Sequence, residues 1–222
     1  MRCTILANGQ WSQPAGLDLG RRQNELIIAT DGGAVHCRTL GVTPDLLVGD
    51  MDSIPEGLLT ELEAQGVEIL RFPPRKDQTD LELAIELAIE RGADDIVILA
   101  ALGLRWDMSI AAVMLLASPR FAGVSLVLRD GATDILRLRG GQQLEIAGKP
   151  GDRLSIIPLG GPAVGVGLGG LAYPLSDQDI PLGSTLGVSN VLTRSPARVK
   201  LRQGQLLCIV EKLGEESRPT FP

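Results

Sequence analysis

The sequence predicts an α/β protein: a mainly parallel, three-layer sheet domain over residues 1–134, a smaller all-β sandwich domain over 135–214, and a polar tail at 215–222. Three observations point to it. Up to about Asp134, apolar β-type runs alternate with helical patterns, the order expected when parallel strands are joined by crossover helices. Several of those runs are nearly continuous in Leu, Ile and Val, as strands covered on both faces require. After about Ile135 the helical period disappears and short strands separated by Gly, Pro and Asp turns take over.

In the first domain, strands are expected at 4–7, 25–30, 45–48, 66–72, 95–100 and 124–129, with helices at 33–40, 55–65, 79–91 and 107–117. Local signals set the boundaries. In SIPE, Ser53 is placed to cap the second helix while Glu56 reaches back as a capping box, with Pro55 in the first turn and Gly66 just past the end. TDLE repeats the device with Thr79 and Glu82. Leu81, Ala84, Ile85 and Ala88 then recur at helical spacing, whereas Glu82, Glu86, Glu90 and Arg91 fall mostly on other faces. In the second domain, strands are expected at 135–138, 143–146, 154–159, 186–192, 198–201 and 206–210. The Gly-rich stretch 160–170 precedes no helix, so it reads as a flexible turn or bulged strand rather than a phosphate loop.

Composition narrows the function. Of 222 residues, 44% are hydrophobic and 22% charged, ordinary globular usage, while aromatics at 3% leave Leu, Ile, Val and Ala to fill the core. The net charge of −6 and the lack of any Lys/Arg stripe argue against nucleic acid as a partner. The apolar run at the N-terminus is too short for a signal peptide, and no stretch of about 18 apolar residues occurs, so no membrane is expected. Cys3, Cys37 and Cys208 have neither CxxC spacing nor companion histidines and read as buried thiols in a reducing cytoplasm. His36, the single histidine, has no second histidine for a zinc site and no GxSxG for a nucleophile system; it reads as a packing residue.

The chemistry concentrates at strand ends. In LLVGDMDS an apolar strand stops at Val48, Gly49 turns the backbone, and Asp50 and Asp52 project from the strand's carboxyl end, where open α/β sheets bind ligands. In RKDQTDLE, Asp77 and Asp80 stand three apart around the first turn of the helix capped by Thr79. Each pair has a plain alternative, an acidic turn or N-terminal capping. Together they form a cluster of like charges suited to Mg²⁺, which takes one or two carboxylates plus substrate phosphates. Lys76 and Arg105 are then placed to hold phosphate oxygens. The turn Asp31, Gly32, Gly33 lets backbone approach a ligand at a helix N-terminus.

The order of DGGAVHCRTLGVTPDLLVGDMDS, FPPRKDQTDLELA, ALGLRWD, GLAYPL and GVSN, spanning Asp31 to Asn190, resembles the successive signatures of the thiamine pyrophosphokinase family. The resemblance implies an ATP-binding α/β domain, a β-sandwich that binds thiamine and joins a homodimer, and Mg²⁺-dependent transfer of the pyrophosphoryl group of ATP to the thiamine hydroxyl, giving thiamine diphosphate and AMP. It implies Asp50, Asp52, Asp77 and Asp80 as the metal- and phosphate-handling residues, and Arg105 and Asp107 as further catalytic ones. Asp31, Gly32, Gly33, Lys76, Gln78 and Thr79 lie about ATP, and Ser189 and Asn190 near the thiamine pyrimidine. The family's arginine motif usually reads Gly-Gly-Arg-x-Asp-His with Asn four residues later; here Leu104, Met108 and Ala112 replace the second Gly, the His and the Asn. That removes hydrogen-bonding capacity and leaves two alternatives open: a different heterocyclic alcohol as acceptor, or a catalytically silent nucleotide- or thiamine-binding module.

Overall fold

Chain contacts divide the protein into two units, Met1–Gly131 and Ala132–Pro222, and the computed structural model describes residues 1–14, 19 and 25–213 of them. The expected polar tail at 215–222 lies outside the described residues. In the first unit, six strands run parallel: β1 (Arg2–Leu6), β2 (Glu25–Thr30), β3 (Leu46–Gly49), β4 (Glu68–Arg71), β5 (Asp95–Leu99) and β6 (Ser125–Asp130). Their order is β6-β5-β1-β2-β3-β4. The helices are α1 (Gly33–Thr39), α2 (Glu56–Ala64), α3 (Asp80–Glu90) and α4 (Trp106–Leu115).

The continuous apolar runs have the expected cause. Ile27, Ala29, Leu47, Val97 and Leu99 form one cluster with Ala34 and Cys37 of α1 and Leu58 and Leu62 of α2. The period-two alternation of a strand sends Ile28, Ile96 and Ile98, all buried, to the other face. There α3 packs along β1, β2 and β3 through Leu81, Leu83, Ala84, Ile85 and Ala88. Thr79 caps α3, its Oγ1 accepting from the Glu82 N–H at 3.2 Å, a contact of the kind that contributes about 1 kcal/mol. The capping box expected from Ser53 does not form: Pro55 is the N-cap of α2, with no side-chain cap, because the Ser53 hydroxyl donates instead to Asp52 Oδ1 at 2.7 Å. From β1 the chain fills one side of the sheet through β2, β3 and β4, then returns to set β5 on the other flank of β1. That reversal makes a topological switch point between β1 and β5, where ligand crevices form at strand carboxyl ends.

The second unit is two antiparallel layers. One is β12 (Asn190–Val191), β9 (Arg153–Pro158), β14 (Gln205–Glu211) and β7 (Thr133–Arg139), in that order. The other is β11 (Leu175–Ile180), β10 (Ala163–Gly169), β13 (Ala197–Lys200) and β8 (Gln143–Ile146). Residues of both layers, among them Ile156, Leu206 and Cys208 of one and Val166, Leu168 and Val199 of the other, make a single core, which defines a sandwich. The Gly-rich stretch is a bulged strand, with register shifts between Ala163, Val166 and Leu168. The strand expected over 186–192 shrinks to Asn190–Val191 because Gly187 (φ +92°) and Ser189 (φ +61°) leave extended backbone.

Candidate active site

The switch point is a cavity of about 510 Å³, within the usual size for a small-molecule site. From the loop after β1 it takes Ala7, Asn8 and Gly9, and from the loop after β5 Ala101, Gly103, Leu104 and Arg105. Asp31 enters from the end of β2, Asp50, Asp52 and Ser53 from the end of β3, and Thr79 and Asp80 from the start of α3. Met108, Ala111 and Ala112 of α4 complete an apolar wall. Carboxylate oxygens of Asp31, Asp50 and Asp52 all lie within 4.8 Å of one another, the one such cluster among the described residues.

Backbone geometry brings these groups in. Asp31 (φ +43°), Met51 (φ +68°), Ala100 (φ +52°) and Leu104 (φ +57°) hold positive φ at or just beyond strand ends. L-residues adopt that region at a cost, and such strain concentrates at functional sites. The left-handed Met51 turns its amide to donate to Asp31 Oδ1 at 3.1 Å, and the Asp52 N–H donates to Asp50 Oδ1 at 3.2 Å. Burial pushes the Asp31 carboxyl up to about 7; the charges of Asp80 and Asp50 and a shared hydrogen bond with Asp80 push the same way, against the Met51 amide. A buried carboxylate crowded by like charges favours a proton or a cation.

Around this cluster, Asp80 Oδ1, shielded from solvent, faces Lys76 Nζ at 3.0 Å in an ion pair rather than a directed hydrogen bond. Asp77 is exposed and does not line the cavity. Gln78 turns away: its Nε2 donates to Glu86 Oε2 at 2.8 Å. Arg105 is exposed at the rim, where its Nε and Nη2 donate to the Asp107 carboxylate at 3.2 and 2.5 Å; that contact lowers the Asp107 pKa, and Asp107 itself does not line the cavity. Gly32 and Gly33 do not line it either. They let α1 approach β1, since a Cβ at Gly33 would overlap the Leu6 carbonyl oxygen and one at Gly32 the Asn8 amide.

In the second unit Ser189 is exposed, its N–H donating to Ser155 Oγ at 2.9 Å. Asn190 is buried, and its amide is engaged with the Tyr173 backbone. His36 Nε2 donates to the Gly9 carbonyl at 3.1 Å and its ring stacks on Trp11, so the packing residue also steadies a cavity-lining backbone. Burial pushes the thiols of Cys3, Cys37 and Cys208 up to about 12, which leaves them inert. Asn8 and Thr30 line the cavity without having been singled out in the sequence, and Ser53, read there as a helix cap, lines it too. Asn8 follows the apolar run of β1 at its carboxyl end, a usable signal once β1 is known to be central.

A carboxylate-lined cavity at the switch point of a parallel sheet, on a chain that continues into a β-sandwich, defines the class as a two-domain α/β protein with a candidate small-molecule site on its first unit. A family model described as "Thiamin pyrophosphokinase, catalytic domain" matches residues 20–128, and one described as "Thiamin pyrophosphokinase, vitamin B1 binding domain" matches residues 142–206. The chain belongs to the thiamine pyrophosphokinase family. It is similar to the thiamine pyrophosphokinase of Bacillus subtilis (strain 168), 31% identical over 188 residues, covering 84% of this chain and 87% of that one. It is also similar to thiamine pyrophosphokinase 1 of Oryza sativa subsp. japonica, 27% identical, with 79% and 68% covered. A crystal structure of the Bacillus subtilis thiamine pyrophosphokinase superposes with a TM-score of 0.86 at 30% identity, over 96% of this chain and 99% of that one. The thiamin pyrophosphokinase of Candida albicans shares the fold, at TM-score 0.79 and 18% identity over 96% and 90% of the chains.

Proposed function

We propose that this chain transfers the pyrophosphoryl group of ATP to the hydroxyl of thiamine at the switch-point cavity. The hydroxyl oxygen bonds to the β-phosphorus and gives up its proton to solvent, the bond from that phosphorus to the α–β bridging oxygen breaks, and thiamine diphosphate and AMP result. Family membership supports the reaction, and one observation supports its location: the carboxylates of Asp31, Asp50 and Asp52 converge to within 4.8 Å at the strand ends.

The donor set fits Mg²⁺: hard oxygen ligands, crowded enough that Asp31 resists ionisation without a cation. We assign Asp31, Asp50, Asp52 and Asp80 to hold it, with Asp77 at the outer edge. When bound, Mg²⁺ offsets the negative charge of the phosphates. The chain's own groups do the rest by alignment, the main demand of phosphoryl-type transfer. Lys76, already held beside Asp80, and Arg105 take phosphate oxygens, and Asp107 aims the Arg105 fork by its two contacts. The apolar side chains of Leu104, Met108 and Ala112 offer a ring a face to pack against, a role that does not need the imidazole and amide the family usually has there. Ser189 and the turn supported by Asn190 belong to thiamine binding, a homodimer is the working assembly, and a reducing cytoplasm suits three buried free thiols. No described helix is long and apolar enough to cross a membrane.

The test is purified protein with ATP, Mg²⁺ and thiamine, with AMP and thiamine diphosphate followed together. Stoichiometric formation of both, abolished by EDTA, is expected. ATP binding without either product would reject the proposal, and sedimentation at assay concentration tests the dimer.

A further inference from the structure

Arg120 lies outside the cavity, in the 3₁₀ turn Pro119–Phe121 between α4 and β6. Its footing is firm. Phe121 beside it is buried, Ser118 Oγ accepts from the Arg120 N–H at 3.3 Å, and the guanidinium carbon stands 5.9 Å from the Phe121 ring centroid. From there the guanidinium reaches α3: Nη1 is 2.7 Å from Glu82 Oε1, and Nη2 contacts Glu86 Oε1. Glu82 and Glu86 are one helical turn apart, with side-chain exposures of only 21% and 22%. Without the cation between them these like charges repel.

Both acceptors lead on to the site. Glu86 Oε2 accepts from Gln78 Nε2 at 2.8 Å, and the Glu82 N–H is the one capped by Thr79 Oγ1. Gln78 and Thr79 belong to the turn that presents Lys76 and Asp80, and Asp80, paired with Lys76 at 3.0 Å, lines the same cavity as Asp31. The chain Arg120, Glu86, Gln78 therefore ties the turn from behind, next to Thr79 of the cavity wall.

We propose that Arg120 is a positioning residue for the carboxylate cluster: through Glu86 and Gln78 it fixes the turn 76–80 so that Asp80 stays in place beside Asp31. This rests on the Mg²⁺ reading of the cluster. The role suits a guanidinium, whose planar fork engages two carboxylates at once; an ammonium is a point charge and does so less well.

The test compares wild type, Arg120→Ala, Arg120→Lys and the double variant Arg120→Ala/Glu86→Gln, all as full chains. In Arg120→Ala, amide hydrogen exchange over 75–82 speeds up, and the Mg²⁺ concentration for half-maximal turnover rises about tenfold, the usual reach of an outer-shell partner. The kcat at saturating Mg²⁺ changes little. Arg120→Lys recovers part of both losses, and Glu86→Gln adds little to Arg120→Ala because the tether is already cut. Wild-type exchange and Mg²⁺ dependence in Arg120→Ala would overturn the proposal, as would a lower thermal midpoint with neither changed. If Arg120→Ala does not fold, Arg120→Lys decides, since it keeps the charge and loses the fork. If wild type shows no Mg²⁺-dependent turnover, the reading of the cluster falls, and the exchange comparison still decides the tether.

Discussion

Gly49 and Asp31 compete for the same space: a Cβ on residue 49 would overlap the Asp31 carboxylate. Gly49 also sits at φ +149°, a conformation L side chains rarely adopt. The glycine that ends β3 is therefore what admits Asp31 to the cluster. Gly49→Ala is expected to expel Asp31 and lower Mg²⁺-dependent turnover by about tenfold or more. It also strains the backbone by about 1–3 kcal/mol. Turnover and thermal midpoint check this together; a variant with wild-type turnover would show that Asp31 works from elsewhere.

Asp31 also predicts how stability changes with pH. Its folded pKa, about 7, lies above the ordinary 3.8, so between those values the folded state keeps a proton the unfolded state has lost. Metal-free stability therefore falls as pH rises from about 4 through 7, and the penalty is fully present above that range. Asp31→Asn keeps an oxygen for the Met51 N–H and removes the charge. The metal-free variant is expected to melt higher than wild type at pH 8, to converge with it near pH 4, and to lose activity. Equal melting temperatures at pH 8 would contradict this.

The second acidic pair divides in space, Asp80 lining the cavity and Asp77 lying off it, so Asp77 and Asp52 should differ as mutants. Asp52 shares the cluster with Asp31 and Asp50, whereas Asp77 is exposed and off the cavity lining. Asp52→Asn is expected to cost about 10²-fold in turnover, and Asp77→Asn less than about tenfold. Initial rates at saturating ATP across an Mg²⁺ titration distinguish them. An equal loss in both would place Asp77 in the working site, after a movement of the turn.

What the sequence made legible follows from which interactions are local. Asp50 and Asp52 stand out because a strand's end and an i, i+2 pair are both visible in eight consecutive residues. The Thr79 cap was visible for the same reason. Asn8 was not, because its importance depends on β1 lying beside β5, an adjacency between segments far apart in the chain. The strand Leu175–Ile180 was missed because, as an edge strand, it exposes the polar residues of SDQD and shows no apolar alternation. Ser53 read as a helix cap, but its hydroxyl bonds to Asp52: site chemistry displaced a local rule. The convergence of Asp31 with Asp50 and Asp52 needed β2 and β3 side by side, which no local signal specifies.

Asn190 gives the last prediction, because its role is decided by where its polar atoms go. Its Oδ1 accepts from the N–H groups of Tyr173 and Val191 at 3.0 and 2.9 Å, and its Nδ2 donates to the Tyr173 carbonyl at 2.7 Å. The residue is buried, as is its Val191 contact, while the two Tyr173 contacts are part-buried, so water replaces those partners only in part. Truncation would orphan three backbone groups, and each unsatisfied group costs about 1–3 kcal/mol. Asn190→Ala is therefore expected to destabilise the protein by about 2–4 kcal/mol after partial relaxation, and Asn190→Asp nearly as much, since a carboxylate would face the Tyr173 carbonyl without a proton to donate. The effect on thiamine should come through the exposed turn it supports, so KM for thiamine rises alongside the loss of stability. A rise in KM with an unchanged urea midpoint would mean that the amide leaves Tyr173 to meet the substrate directly.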